Sequence, residues 1–185
     1  MTNCRSFICC AIAAALLPVA ARAQAADSAA SPEMARLAKA LAGDWFTVEV
    51  VQGGSPAPAG AGRRGQVHAR LAAGGSVLLS EGHSAGTVGG DLRWLTTIWW
   101  DQNAKLYGFF TCFRTRNDEG CEIRGTAHWE NDVFVNQYTE RVNGTPTKME
   151  DRFAAITPTS HTLTELHDDG HGVMRPYVVS HDTRQ

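Results

Sequence analysis

The chain has 185 residues, 43% of them hydrophobic and 19% charged, with 17 Lys+Arg against 19 Asp+Glu. A formal net charge of −2 excludes a polyanion-binding surface built on bulk charge, and the one basic cluster, Arg63-Arg64, is too small for nucleic-acid recognition. A chain of this length buries a core of its own, about 70% of its unfolded surface, without help from a metal or a disulfide.

The first residues, Met-Thr-Asn-Cys-Arg, form a short basic segment, and Phe7 to Ala21 is an unbroken apolar run ending in small side chains. Two small-x-small sites follow, Ala21-Arg22-Ala23 and Ala23-Gln24-Ala25. This pattern predicts a cleaved signal peptide over residues 1–25, a linker over 26–30, a single domain over 31–185 and a periplasmic or extracellular destination. The apolar run is shorter than the roughly 20 residues a membrane span requires, so no stable membrane anchor is expected. Cys9 and Cys10 lie within the run without a lipid-attachment tripeptide before them. Cleavage would leave Cys112 and Cys121, an even pair in an oxidising compartment. A hairpin turning within Arg116 to Gly120 sets these two opposite each other, the spacing of a disulfide. A redox-active cysteine is the alternative, but neither residue has a Cys-x-x-Cys motif or a basic helix terminus beside it.

Ser31-Pro32 predicts an N-cap with proline at the first helical position, and Met34, Leu37, Ala38 and Leu41 recur on one helical face up to Gly43. From there the pattern changes to about ten short runs rich in Val, Thr, Phe, Tyr and Trp. They are residues 44–52, 64–71, 76–83, 92–101, 105–115, 121–130, 133–140, 147–156, 162–167 and 173–181. Turn signals divide them, among them Gly74-Gly75, Asn131-Asp132, Asn143-Gly144 and Asp169-Gly170. Connections this short join antiparallel neighbours, and a long meander protects its edges by closing on itself. The expected fold is all-β, an antiparallel up-and-down barrel of about ten strands entered through a short N-terminal helix. The longest irregular stretch, Gly53 to Gly62, is a candidate rim or lid loop, or a plain solvated connection.

Gly43-Asp44-Trp45, directly after the helix, resembles the Gly-x-Trp signature of lipocalin-like calycin barrels. The resemblance extends through Ile98-Trp99-Trp100-Asp101 with Tyr107, Gly125 to Trp129, Asn131-Asp132, Glu150-Asp151-Arg152-Phe153 and a closing Thr162-x-Thr164 followed by Asp169-Gly170. This succession resembles a family of exported bacterial calycin-type domains of undescribed function, related at a distance to lipocalins, fatty-acid-binding proteins and the haem-binding nitrobindins. It implies a ten-stranded barrel with a central cavity, and a structural Trp45 near the closed end. Phe46-Thr47-Val48 departs from the nitrobindin-like pattern, which places a glycine there.

In such a barrel the alternation of side chains decides the lining. Leu92, Trp94, Thr96, Ile98 and Trp100 share the face expected to point inward, whereas Tyr107, Phe109, Thr111 and Phe113 alternate with equally apolar neighbours and take no assignment. Trp94, Ile98, Trp100, Phe109, Tyr138 and Tyr177 are the candidate ligand-binding residues, the tyrosines adding hydroxyls to an apolar cavity. The alternative is that they fill the core. His167 and His171 flank the Asp168-Asp169-Gly170 turn and, with His181, are the candidate haem or transition-metal ligands, although no cofactor is predicted outright. Glu81 with His83 and His128 with Glu130 share strand faces and fit either acid–base work or exposed ion pairs. Glu150, Asp151 and Arg152 read as a solvated or structural charge group. No Gly-x-Ser-x-Gly, phosphate-cradling loop or dinucleotide fingerprint is present. The reading is therefore a binding protein for a small apolar or amphipathic molecule. A barrel enzyme of isomerase, cyclase or hydrolase type, needing an inward acid–base pair, is the alternative, and the apolar fifth strand leaves room for a homodimer.

Overall fold

A computed structural model describes residues 30–52, 60–86, 91–115, 119–142 and 144–185. The expected signal peptide and most of both the linker and the rim loop lie outside the described residues. A helix and ten strands are present: α1 (Pro32–Leu41), β1 (Gly43–Val51), β2 (Gly62–Ala72), β3 (Val77–Gly86), β4 (Leu92–Asp101), β5 (Leu106–Arg114), β6 (Glu119–Glu130), β7 (Val133–Val142), β8 (Thr145–Ala154), β9 (Ser160–Asp168) and β10 (Met174–Arg184). Each strand pairs antiparallel with its sequence neighbours, and β1 pairs with β10 to close the barrel. Closure leaves no unpaired edge. Among the described residues no helix is long and apolar enough to cross a membrane.

The helix begins and ends as the sequence dictates. Ser31 Oγ accepts a hydrogen bond from the Met34 amide, Pro32 opens the first turn, and Gly43 follows the last with φ near 143°. Its buried face is Met34, Leu37, Ala40 and Leu41, so Ala40 takes the place expected of Ala38. This face closes the end of the barrel at which β1 begins. It packs with Leu78, Ile98, Tyr107, Phe109, Ala127 and Phe134, and the Tyr107 hydroxyl donates to the Glu33 carbonyl at 2.8 Å. Trp45 is 1% exposed and its indole N–H donates to the Leu41 carbonyl at 2.9 Å, which ties the first strand to the helix.

The register fixes which side chains face inward. Trp45, Thr47 and Glu49 are buried on β1 while Asp44 and Phe46 are exposed, and the pairs Trp45↔Val67, Thr47↔Gly65 and Glu49↔Arg63 carry that face to β2. Followed around the sheet, it takes in Trp94, Thr96, Ile98 and Trp100 on β4, the side expected from the sequence. Tyr107, Phe109, Thr111 and Phe113 pair with these and take the inward side of β5, the question the apolar pattern left open. Glycines make room for the large rings. A Cβ on Gly82 would lie 2.0 Å from the Trp94 indole, and one on Gly125 2.7 Å from the Phe109 ring. Cys112 and Cys121 form a disulfide at a register shift between β5 and β6.

Two predictions follow from this packing. Trp45→Ala should destabilise the protein by about 3–5 kcal/mol, whereas Phe46→Ala, one residue away on the outer face, should cost less than about 1 kcal/mol; urea unfolding midpoints give both. Equal losses would mean that the alternation is misassigned. Replacing Cys112 and Cys121 together by serine should lower stability by on the order of 2 to 3 kcal/mol in the same measurement under oxidising conditions, and an unchanged midpoint would count against the bridge.

Candidate functional site

The interior divides into two halves. At the helix end the inward side chains are packed: Trp45, Leu78, Ile98, Tyr107, Ala127 and Phe134 are almost wholly buried. At the opposite end Trp94, Thr111, Phe113, Ile123, Tyr138 and His167 also point inward but stay partly accessible. Inward residues that keep accessible surface line a lumen rather than a filled core. Two hollows lie at the rim of this end, one of about 460 Å³ on its outer side beside Asp91, Arg93 and Arg114 and one of about 420 Å³ beside Glu49, Arg63 and Arg64; neither is lined by these inward side chains.

The lumen is not apolar. Inward positions on β7, β8 and β9 carry Asn136, Glu140, Asp151, Glu165 and His167, joined by Tyr138 and Tyr177. Asp151 lies opposite Asn136 on one side and opposite Glu165 on the other, so its carboxyl sits in the middle of a polar row. The Tyr138 hydroxyl donates to Asp151 Oδ1 at 3.1 Å, the Asn136 side chain also bonds the Asp151 carboxyl, and the Tyr177 hydroxyl donates to Glu165. A shift in register between Pro176 and Val178 brings Tyr177 into this group, and its ring centre lies 5.6 Å from that of His167. The surface that Asp151 and Glu165 retain faces the lumen, where protein on every side withholds bulk solvent. Desolvation therefore raises both carboxyls above their ordinary range. Glu165 and Glu140 push Asp151 further, Glu49 and Glu140 push Glu165 further, and the tyrosine hydrogen bonds and Arg63 oppose the rise. Desolvation and these same carboxylates hold the Tyr138 and Tyr177 phenols well above their usual value, so both remain donors.

Other inward polar groups are matched in pairs. Arg63 meets Glu49 at 2.6 Å, and His161 Nε2 meets Asp182 at 2.8 Å deep in the wall, where Ser180 Oγ donates to Asp182 at 2.6 Å. His161 packs edge-on against Trp45 with ring centres 4.4 Å apart. Among the described residues six buried side-chain polar atoms lack a hydrogen-bond partner; Glu49 Oε2 and His83 Nε2 are in ion pairs with Arg63 and Asp91, and the others are Thr47 Oγ1, Ser84 Oγ, Asn136 Oδ1 and His161 Nδ1.

The structure splits the candidates read from the sequence. Ile98 and Phe109 belong to the packed core, and Trp100 lies towards that end, its ring centre 4.9 Å from that of Tyr107. Trp94, Tyr138 and Tyr177 face the open half. Of the three candidate histidines, His167 faces the lumen, whereas His171 sits exposed on its turn and His181 is exposed on the outer face. They do not converge, and no group of three His, Cys, Asp or Glu among the described residues could hold a metal ion. Glu150 and Arg152 form an outer ion-pair network with Glu130, as expected, but Asp151 between them points the other way, into the lumen. The alternation of β8 requires it. Asn136, Glu140, Asp151 and Glu165 were the lining residues missed. Once Tyr138 is taken as inward, Asn136 and Glu140 share its face, and pairing back across the Asn143-Gly144 turn sets Asp151 beside Asn136. Glu165 is hidden by the register shift in β10.

No family model matches the chain, and no curated protein matches it. Among solved structures it is similar to the crystal structure of Rv2717c from M. tuberculosis, with a TM-score of 0.55, 12% sequence identity, and coverage of 84% of this chain and 99% of that one. At that identity the likeness shows the fold alone, a closed antiparallel barrel.

The carboxyl pair makes a prediction about stability and pH. Folded Asp151 and Glu165 keep their protons to higher pH than they do in the unfolded chain, so their contribution is fully present below the ordinary carboxylate range. It is lost as pH rises through their raised values, at about 1.4 kcal/mol per pH unit for each proton retained. Asp101, Glu130 and Asp169, all lowered by hydrogen bonds, contribute the opposite slope at more acidic pH. Thermal unfolding followed upwards from about pH 4 should therefore show a falling melting temperature that flattens in the Asp151→Asn/Glu165→Gln variant. Parallel profiles would place the two carboxyls in solvent.

Proposed function

We propose that the protein binds a small amphipathic molecule in the open half of its barrel and that it does so after export. The observation that carries the binding role is the accessible inward surface of that half. It combines an apolar wall (Trp94, Phe113, Ile123) with a polar row (Tyr138, Asp151, Glu165, Tyr177). Such a mixture of apolar body and few converging polar groups is the usual composition of a small-molecule site. Among the readings weighed from sequence, the carboxylates favour an amphipathic ligand over a purely apolar one. Export is supported by the N-terminal sequence pattern and by the disulfide, which suits an oxidising compartment.

A second reading has its own observation. Asp151 and Glu165 are the inward acid–base pair that a barrel enzyme needs, with desolvation raising both carboxyls above their ordinary range.

A neutral environment-sensitive dye such as Nile red tests the binding role. Its fluorescence should rise on titration with the protein, and Ile123→Trp, which fills the open half, should weaken binding about tenfold or more while the outward Thr126→Trp leaves it unchanged. Equal effects of the two substitutions would place the dye on the outer surface and contradict the proposal.

A further inference from the structure

The inward groups of the open half are unbalanced in charge and in hydrogen-bonding character. Facing it are Glu49 on β1, Asp151 on β8 and Glu165 on β9, and the one inward guanidinium among the described residues, Arg63 on β2, is engaged with Glu49 at 2.6 Å. Arg175, at the rim, is held by Asp169 at 2.8 Å. The donors that reach Asp151 and Glu165 are neutral, the Tyr138 and Tyr177 hydroxyls and the Asn136 amide. Asn136 is 4% exposed, and while its side chain bonds Asp151, its Oδ1 has no partner. With the two phenols donating to the carboxyls, the wall is left with carboxyl oxygens and the Asn136 Oδ1 as its unfilled acceptors. What complements it is a compact group that carries positive charge and several N–H donors. Tyr138 and Tyr177 add aromatic rings beside the carboxyls, and ring faces attract cations. A divalent metal is a poorer match, since hard cations such as calcium take six to eight oxygen ligands and no metal-holding group of three side chains occurs among the described residues.

We propose that the Asp151–Glu165 pair seats the ammonium group of an amphipathic amine, with Tyr138, Tyr177 and Asn136 around it and the apolar body of the ligand against Trp94, Phe113 and Ile123. This names the ligand class of the site in the preceding section and rests on that reading. It also sets the selectivity: an ammonium group offsets the desolvation that holds the Asp151 and Glu165 protons, so the carboxyls ionise beside it and accept charge-assisted hydrogen bonds, whereas a fatty carboxylate meets the like charge of the acidic wall and an alcohol gains neither benefit nor penalty.

The test is calorimetric titration of the purified protein at neutral pH with three probes of equal chain length, n-octylamine, n-octanol and sodium octanoate, and separately with calcium chloride. The expected result is octylamine bound about tenfold or more tightly than octanol, with octanoate weakest and calcium neither bound nor competing. In the Asp151→Asn/Glu165→Gln variant, checked for folding by circular dichroism, octylamine and octanol should bind alike. The single Glu165→Gln variant should lose part of the preference should the double variant not fold. Octanol and octylamine bound equally by the unaltered protein would overturn the amine proposal and leave the barrel-binding reading standing. Failure of all three chains to bind would sink both. A preference that persists in the variants, or calcium that displaces octylamine, would likewise overturn the proposal.

Discussion

Everything in this molecule depends on the closure of one antiparallel sheet, β1 against β10, because closure turns the two-residue alternation of each strand into an inside and an outside. Once Trp45 is committed to the interior, pairing carries that choice from strand to strand with no freedom for a single strand to reverse. A slip of one residue anywhere would expel the core aromatics and draw outer charges such as Arg152 inside. The site is thus inherited from the same register that builds the core.

The helix then decides how much of that interior is core. Its apolar face closes the end where β1 begins and packs with Ile98, Tyr107, Phe109 and Phe134, so that half fills as any globular core does. No element among the described residues plays the same part at the other end. There the inward positions carry carboxyls and phenols held to one another by hydrogen bonds, an arrangement that tolerates burial because Asp151 and Glu165 each have a phenol donor beside them. The polar row exists at a cost in desolvation, and a feature of that kind, set in a cleft, is a mark of function.

The fold was legible because the signals were local: an N-capped helix with proline in its first turn, then strands divided by Asn-Gly and Asp-Gly turns. The Gly-x-Trp resemblance placed Trp45 correctly, and the inward face of β4 followed from its polar–apolar alternation. The fifth strand was illegible, since both its faces are apolar and only pairing with Ile98 and Trp100 orients Tyr107 and Phe109. Asp151 was misread for a related reason. It sits between Glu150 and Arg152, whose side chains form an outer ion-pair network, and charge alone invites treating the three as one surface group. Glu165 and Tyr177 were harder, because the register shift at Pro176 to Val178 breaks the alternation that would have placed them together. Histidines drew attention for their chemistry, yet the deeply buried one is His161, paired with Asp182, and not the pair flanking the turn.

The account stands on a lumen that no described element fills at the end away from the helix and that carries its polarity on β7 to β10. The most direct measurement is residue-resolved chemical-shift mapping by nuclear magnetic resonance as n-octylamine is added to the purified protein. The account predicts shifts confined to the open half, at Trp94, Ile123, Tyr138, Asp151, Glu165 and Tyr177. Shifts centred on the outer face around Leu95 and Trp99, or on the helix-packed core, would contradict it.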